Sequence, residues 1–272
     1  MEDVDRAREV PGAADDILRT LERFGLEWTG PVLRQSERAG AYEAALSRLR
    51  AQHLTYDCSC TRAEIAAAAA TVPAPVPRHR PRVPGEPREV RYTGTCRLGP
   101  RHPSGRLATR FRVDGFPAVT VHDRLQPPFT LSVDATVGDF VLRRRDGYYA
   151  YQLAVVVDDA EQGITDVVRG LDLYDNTPRQ RLLQLALGVP TPSYLHLPLV
   201  VEGSGVKLSK SRRSIPADPA QAPKLLATVL RWLGHPPPDM LRDAPVTALL
   251  PWAISQWNPS HLQGVTTISS TG

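Results

Sequence analysis

Apolar residues near the N-terminus recur at the spacing of an α-helix. Three or four positions separate most members of a first stripe, and a glycine follows it, which is a common helix stop. This stripe comprises Ile17, Leu18, Leu21 and Phe24, followed by Gly25. A second stripe predicts a helix over residues 36–53, with Ser36 as the candidate N-terminal cap. It comprises Tyr42, Ala45, Leu46 and Leu49.

The middle of the chain alternates short apolar runs with Gly, Pro and Asp, a pattern typical of strands and turns. The predicted strands are residues 108–113, 118–122, 140–143 and 147–151. Residues 153–157 and 164–168 are apolar at most positions and predict buried strands, although 153–157 also fits a buried helix.

The last third of the chain returns to helical spacing. Apolar residues within 182–186 predict a helix that ends at Gly188, and Pro190 blocks its continuation. A further stripe over 225–233 predicts a C-terminal helix. By contrast, residues 71–90 hold six prolines and predict an extended loop inserted within a compact unit.

Composition narrows the class of protein. No stretch of the 272 residues approaches 18 consecutive apolar positions, so no membrane-spanning helix is expected. The acidic start lacks the basic and apolar regions of a secretory signal. Three cysteines do not make a disulfide framework and suit a reducing compartment, so we expect a cytoplasmic protein. The net charge of +4 permits a polyanionic partner without requiring one.

All three cysteines fall in one region, as Cys58-Ser-Cys60 and Tyr92-x3-Cys96. Three thiolates form most of a tetrahedral zinc shell, because soft sulfur suits this metal. A fourth ligand is needed, and the alternatives are the phenolate of Tyr92 or one of three histidines. These are His53, His79 and His102. The competing interpretation is three small buried apolar thiols beside an ordinary tyrosine.

A basic loop follows at residues 203–213, GSGVKLSKSRR. Its glycines permit sharp turns, and Lys207 and Lys210 lie three positions apart, so both can reach the oxygens of a triphosphate. The sequence therefore predicts an anion site, with a solvated basic turn as the alternative.

Lys207-Leu-Ser-Lys210-Ser resembles the KMSKS motif of class I aminoacyl-tRNA synthetases. Three other segments resemble motifs of the glutamyl-type enzymes, in the same order along the chain. They are Met1-Glu-Asp-Val-Asp5, residues 151–159 (YQLAVVVDD) and residues 163–170 (GITDVVRG). The short region after residue 213 and the cysteine arrangement are most similar to the glutamyl-queuosine tRNA(Asp) synthetases, the short paralogues of glutamyl-tRNA synthetase.

The resemblance implies an α/β fold. A class I Rossmann-like nucleotide-binding domain, N-terminally truncated, is expected at 1–56 and 146–213, with a parallel sheet that lacks its first strand. A zinc-bearing, tRNA-contacting α+β insertion is expected at 57–145, and a small helical region at 214–272. A monomer is expected.

The resemblance also implies a reaction and its residues. Glutamate is activated by ATP, with Mg²⁺, and transferred to the queuosine base at the wobble position of tRNA(Asp). Arg169 is expected to bind the glutamate side-chain carboxylate, Glu2 the α-ammonium, and Tyr151 to donate a hydrogen bond near the substrate. Lys210, assisted by Lys207, is expected to stabilise charge on the phosphates.

In the same resemblance, one Zn²⁺ is bound by Cys58, Cys60, Cys96 and, as the fourth ligand, Tyr92. Each role has a plainer alternative. Arg169 and Tyr151 also fit ordinary positions at the edge of a core, and Glu2 also fits a frayed terminus.

One motif of the family has no counterpart in this sequence. Class I activation uses a HIGH-like turn upstream of the E-D-x-D segment, where a helix N-terminus faces the ATP phosphates. Only Met1 precedes Glu2 here, so we expect that segment in codons upstream of Met1, and little glutamyl-adenylate from the 272-residue chain alone. The alternatives are a catalytically silent tRNA-binding module, a fragment of a glutamyl-tRNA synthetase, and a zinc-containing structural protein.

Overall fold

The N-terminal segment of the computed structural model, which describes residues 1–72, 89–208 and 217–270, is helical. Helix α1 spans Ala13–Arg23 and α2 spans Ala39–Ala51. Both helices confirm the periodicity of the sequence. The second begins later than predicted, because Gln35–Glu37 forms a separate 3-10 turn. Most of the proline-rich loop, residues 73–88, lies outside the described residues.

Antiparallel strands fill the region that follows. In chain order the elements are β1 (Thr55–Cys58), α3 (Arg62–Ala69), β2 (Ala108–Phe111), β3 (Val119–Val121), β4 (Phe129–Leu131), α4 (Val133–Thr136) and β5 (Phe140–Arg143). Strands β1, β2 and β5 form one sheet in that order, while β3 pairs with β4. The predicted strands at 108–113, 118–122 and 140–143 are confirmed in place, and β4 is an additional strand.

Residues 147–151 do not form the predicted strand. The chain turns at Gly147, where φ is +92°, and Tyr149 makes a single bridge to Arg143. Helix α5 (Tyr151–Glu161) then begins, so too few residues remain for a strand. The open alternative for 153–157 is thereby settled as helix. Its apolar residues are consecutive because α5 is buried on most of its surface.

A parallel β-α-β unit follows α5. It consists of β6 (Asp166–Gly170), α6 (Thr177–Leu187) and β7 (Ser193–Leu197), and β6 pairs with β7 in parallel register. The run at 164–168 is therefore a strand in part, but the prediction that it is buried is wrong. Val168 is 59% exposed, and within the described residues β6 has β7 as its only partner strand.

The C-terminal region is helical, as predicted, but returns to the sheet. The elements are β8 (Leu199–Val201), α7 (Ala222–Trp232), α8 (Val246–Gln256) and β9 (Thr267–Ser269). Strand β9 pairs in parallel with β8, so the predicted parallel architecture appears as two separate two-stranded pairs. No helix in the described part of the chain is long and apolar enough to cross a bilayer.

One apolar core joins segments from both sides of the predicted insertion. It includes Phe111, Phe140 and Leu142 from the insertion, and Leu46, Leu153 and Leu182 from the helices α2, α5 and α6. The domain boundaries at 57, 146 and 214 remain a prediction, and β1 spans the first of them.

Asp158 fastens α5 to the segment around α2. Its carboxylate accepts hydrogen bonds from Gln35 Nε2 at 2.9 Å, Arg38 Nε at 2.7 Å and the Tyr42 hydroxyl at 2.8 Å. Both Gln35 and Tyr42 are buried. A buried polar group that loses its partner carries the full desolvation penalty, so this carboxylate is a structural requirement of the helix pair.

We expect the substitution Asp158→Asn to lower the free energy of unfolding by at least about 2 kcal/mol. The amide retains the shape of the side chain, but its NH2 faces donors and leaves buried N–H or O–H groups unpaired. Urea unfolding followed by circular dichroism measures the change.

The adjacent residue provides the control. Burial and the charge of Glu2 raise the pKa of Asp159 to about 6, so the folded chain binds more protons there than the unfolded chain between about pH 4 and 6. Asp159 therefore makes stability fall as pH rises through this window, and Asp159→Asn should leave the protein at least as stable at pH 7. Equal losses in both variants would show that Asp158 has no special role.

Candidate active site and metal centre

Arg169 lies near the C-terminal end of β6, with its guanidinium surrounded by polar groups. Nε donates to His196 Nε2 at 3.0 Å, and Nη2 donates to Thr177 Oγ1 at 2.9 Å. Longer contacts join Nη2 to the Leu173 carbonyl and Nη1 to the Tyr151 hydroxyl, both at 3.5 Å. Nη1 is thus the end of the guanidinium that the protein engages least.

His196 and Asp123 lie behind Arg169 and are fully buried. The carboxylate Oδ2 of Asp123 lies 2.6 Å from His196 Nδ1, while Oδ1 accepts the backbone N–H groups of Leu125 and Gln126 at 2.9 Å each. Burial lowers the pKa of His196 and the Arg169 charge lowers it further, although Asp123 opposes this shift. The imidazole is therefore neutral at pH 7.

Three acidic or phenolic groups lie close enough to Arg169 to interact with its charge. Burial raises the pKa of Glu2, while the terminal ammonium and Arg169 oppose the shift. Burial also raises the pKa of Tyr151, and Glu2 adds to that shift. Asp159, whose pKa is about 6, interacts with Glu2 and Arg169. The structure thus brings together Glu2, Tyr151 and Arg169, the three residues expected to bind the substrate.

Sequence reasoning missed the residues behind and beside this trio. His196 carried a signal, because it is a lone polar residue inside the apolar run YLHLPLV. Asp123 comes directly after the predicted strand 118–122, and residues at the carboxyl ends of strands often contribute to binding sites. Asp159 belongs to a quoted motif, but only the structure separates it from the structural Asp158.

The lysine loop is described only at its base. The backbone of Lys207 forms an isolated antiparallel β-bridge with Val201. Its Nζ forms an ion pair with Asp172, which lies just after β6. Gly170 permits this arrangement, since a Cβ there would lie 2.5 Å from an Asp172 carboxylate oxygen. Lys207 is therefore held near the end of β6. Lys210 lies outside the described residues.

The three cysteines form a compact buried cluster. Their sulfur atoms all lie within 4.8 Å of one another, and Cys60 Sγ is 3.4 Å from Cys96 Sγ. In a tetrahedral zinc site with Zn–S bonds of about 2.3 Å, two sulfurs are about 3.8 Å apart. The spacing fits a shared metal ion.

Tyr92 completes the cluster. Its hydroxyl oxygen lies 3.4 Å from Cys58 Sγ and 3.7 Å from Cys60 Sγ, and it accepts the backbone N–H of Cys96 at 3.0 Å. The guanidinium carbon of Arg110 lies 3.7 Å from the centre of the ring, where a cation is attracted to the π face. Tyr92 is therefore held with its oxygen among the sulfurs.

Neither His53 nor His102 shares this placement. His102 is exposed and its Nε2 contacts Glu64 at 3.1 Å. Among His, Cys, Asp and Glu side chains in the described ranges, the group that could hold a metal consists of the three cysteines alone. His79 lies outside the described residues.

Without a cation, Cys60 and Tyr92 keep their protons at neutral pH. Burial raises the pKa of Cys60 to about 11, and the neighbouring sulfurs add to this shift. Burial also raises the pKa of Tyr92 above its usual range. At Cys96, backbone N–H groups of Ser59 and Arg101 overcome burial and lower the pKa to about 6. Three thiolates at this spacing repel one another unless a cation lies between them.

A glycine allows Tyr92 to reach this position. Gly138 has φ of +71° and pairs with Tyr92 in an isolated bridge, and the Tyr92 N–H donates to the Val137 carbonyl. A Cβ at Gly138 would lie 1.8 Å from the Tyr92 carbonyl oxygen. No side chain fits there without moving the backbone.

Two solved structures share the fold over almost the whole chain. A glutamate-tRNA synthetase from Elizabethkingia anophelis aligns with a TM-score of 0.72 and 22% identity, covering 98% of this chain. A glutamate tRNA ligase from Elizabethkingia meningosepticum aligns with a TM-score of 0.71 and 21% identity, covering all of it. The present chain spans 60% of either structure.

Similar sequences carry a narrower name. Proteins named glutamyl-Q tRNA(Asp) synthetase are 49% identical in Chromobacterium violaceum, 48% in Thiobacillus denitrificans and 46% in Ectopseudomonas mendocina. The alignments cover 96–98% of this chain and 82–83% of those proteins. The model of the tRNA synthetases class I (E and Q) catalytic domain matches residues 1–226, and the chain belongs to this family.

Proposed function

We propose that this protein is a ligase that activates glutamate with ATP and transfers it to the queuosine base of tRNA(Asp). The names of its relatives at 46–49% identity support this assignment. The observation that carries it is the placement of Arg169, a half-buried cation whose Nη1 faces Tyr151 beside two carboxylates.

Arg169 recognises the side-chain carboxylate of glutamate. Because Nε and Nη2 are already bonded to His196 and Thr177, the substrate oxygens are received at the Nη1 end, next to the Tyr151 hydroxyl. A carboxylate at this position gains a charge-assisted hydrogen bond from Arg169 and a second bond from Tyr151. Glutamine would keep the shape and lose the charge, so the site favours glutamate.

Glu2 and Asp159 supply the opposite charge for the α-ammonium of the same substrate. Both have raised pKa values because burial disfavours their ionised forms, and the charge of Glu2 adds to the shift at Asp159. A bound ammonium offsets that cost. The site thus offers one cation and two carboxylates to an amino acid that carries the complementary groups.

ATP binds at the ends of the parallel strands, next to the lysine loop. Lys207 is held there by Asp172, and Lys210 follows three residues later in the motif. The glutamate α-carboxylate attacks the α-phosphate, pyrophosphate leaves, and the resulting adenylate is the donor for the tRNA; Mg²⁺ bound to the phosphates would neutralise part of their charge. The lysines stabilise negative charge that develops on the phosphates.

Zn²⁺ is bound by Cys58, Cys60, Cys96 and Tyr92. The sulfur and oxygen spacings support a tetrahedral shell, and the metal supplies the positive charge that several buried anionic ligands require. Its role is structural, because the cluster joins the end of β1 to the segment that follows the proline-rich loop.

The function is tested by transfer of radiolabelled glutamate to tRNA. We expect ATP-dependent labelling of tRNA(Asp) that carries queuosine, and none of the same tRNA isolated from cells that lack queuosine. The assay is run on the 272-residue chain and, in parallel, on a version extended by the in-frame codons upstream of Met1. Labelling of tRNA(Glu) in place of tRNA(Asp) would indicate an ordinary glutamyl-tRNA synthetase, and tRNA binding without labelling would indicate a silent binding module.

Arg169→Lys tests the recognition of glutamate. Lysine keeps the charge but cannot bond His196 and Thr177 while also reaching the substrate, so glutamate affinity should fall at least about tenfold, or about 1.4 kcal/mol. Titration calorimetry with L-glutamate measures the change. Arg124→Lys, in an exposed ion pair with Asp166, is the matched control and should leave the affinity unaltered. An unchanged affinity in Arg169→Lys would contradict the assignment.

Gly138→Ala tests the metal centre. The added Cβ would displace Tyr92, so both the zinc content of the purified protein and its melting temperature should fall, with a stability loss of about 2–4 kcal/mol. Gly115→Ala is the control, because Gly115 also has positive φ, +86°, but nothing lies within 4 Å of the new Cβ. The control should lose about 1 kcal/mol and no zinc. Equal zinc content in both variants would remove Tyr92 as a ligand.

A further inference from the structure

The orientation of Arg169 is set by a chain of two buried groups that does not touch the proposed substrate. Arg169 Nε donates to His196 Nε2, and His196 Nδ1 lies 2.6 Å from Asp123 Oδ2. The Asp123 and His196 side chains are inaccessible to solvent. Of these three groups, only Arg169 faces the proposed substrate.

We propose that Asp123 and His196 are positioning residues, which fix the imidazole in one tautomer and thereby fix the guanidinium that receives glutamate. The inference rests on the proposed function for its substrate. It concerns residues that act through Arg169 and have no contact with the reacting atoms.

The tautomer follows from donors and acceptors. Arg169 Nε carries a hydrogen and can only donate, so His196 Nε2 must accept. A neutral imidazole then carries its proton on Nδ1, which donates to the Asp123 carboxylate. The opposite tautomer would place two N–H groups face to face at Arg169.

Asp123 is itself held in one orientation. Its Oδ1 accepts the backbone N–H groups of Leu125 and Gln126 at 2.9 Å and that of His196 at 3.3 Å. In Asp123→Asn the amide oxygen must therefore keep this position, because three N–H groups point at it. The NH2 group then faces His196 Nδ1, which has to become an acceptor, and the imidazole proton moves to Nε2. The substitution reverses the tautomer with almost no change in shape.

The remaining contacts of the His196 imidazole hold the ring in place beside Arg169. The Tyr174 ring lies edge-on at 5.0 Å between centroids, and the Tyr194 ring is stacked at 6.0 Å. Thr177 Oγ1 lies 3.5 Å from His196 Nε2, and it accepts a hydrogen bond from Arg169 Nη2. The rings restrict rotation of the imidazole, so the position of its proton decides which nitrogen faces Arg169 as an acceptor.

The experiment combines glutamate binding with direct observation of the tautomer. Calorimetry should show glutamate affinity reduced about tenfold in Asp123→Asn and in His196→Leu, with ATP affinity within about twofold of the original. His196→Gln, whose amide oxygen can still accept from Arg169, should recover most of the affinity. Asp166→Asn, which removes an exposed carboxylate on β6, is the control and should bind glutamate normally.

Long-range ¹H–¹⁵N NMR spectra of the ¹⁵N-labelled protein give a readout that a merely structural role would not move. His196 should carry its proton on Nδ1 in the original protein and on Nε2 in Asp123→Asn, and the Arg169 Nε–H resonance should shift. A proton on Nε2 in the original protein, or unchanged glutamate affinity in Asp123→Asn while Arg169→Lys loses it, would overturn the inference. If Arg169→Lys also binds glutamate normally, the proposed function fails, and the tautomer and the Arg169 resonance alone decide whether the positioning chain exists.

Discussion

A guanidinium that is partly removed from water requires hydrogen-bond acceptors for its N–H groups. Arg169 is such a group, and the residues around it supply these acceptors. A guanidinium has five N–H donors and accepts nothing, so each group that contacts it must present a lone pair. His196 does so through one ring nitrogen, Thr177 through its hydroxyl and Leu173 through its backbone. These acceptors come from β7, from the segment between β6 and α6, and from the first residue of α6. The β6-α6-β7 unit is therefore arranged around one cation.

The same cation also interacts with two carboxylates. Glu2 comes from the N-terminal segment and Asp159 from α5, and both are strongly desolvated. Their ionised forms are tolerated because Arg169 lies near them, while Asp158, the next residue on α5, is satisfied by three donors of its own. The adjacent residues Asp158 and Asp159 thus have different functions. One fastens two helices, and the other contributes charge to the site.

The sequence predicted the parts of the fold that depend on local pattern. Helices α1, α2, α6 and α7 follow apolar stripes, and Gly188 ends α6 in the left-handed conformation that glycine adopts readily. The strand predicted at residues 147–151 does not form, because a strand needs a partner along its length and α5 begins at Tyr151. The pairing of β9 with β8 was also inaccessible, since residues far apart in sequence form it.

The candidate site divides in the same way. Residues in continuous motifs, such as Tyr151 and Arg169, could be chosen from the sequence together with the three cysteines. His196 and Asp123 could not, because their importance lies in what they contact. A histidine inside an apolar strand is more often a satisfied core residue than a functional one, and only the geometry shows that its partner is the arginine. What these residues bind remains a prediction.

Asp123 also bears on how the predicted insertion relates to the catalytic region. It belongs to residues 57–145, yet it forms a parallel bridge with Tyr194 of β7, and the next backbone N–H, of Arg124, donates to the Tyr194 carbonyl at 2.9 Å. Its carboxylate reaches His196 on the same strand. Any shift of this segment relative to β7 would alter the acceptor offered to Arg169. The segment that carries Asp123 is therefore a direct physical connection between residues 57–145, which we predict to contact tRNA, and the pocket proposed for glutamate.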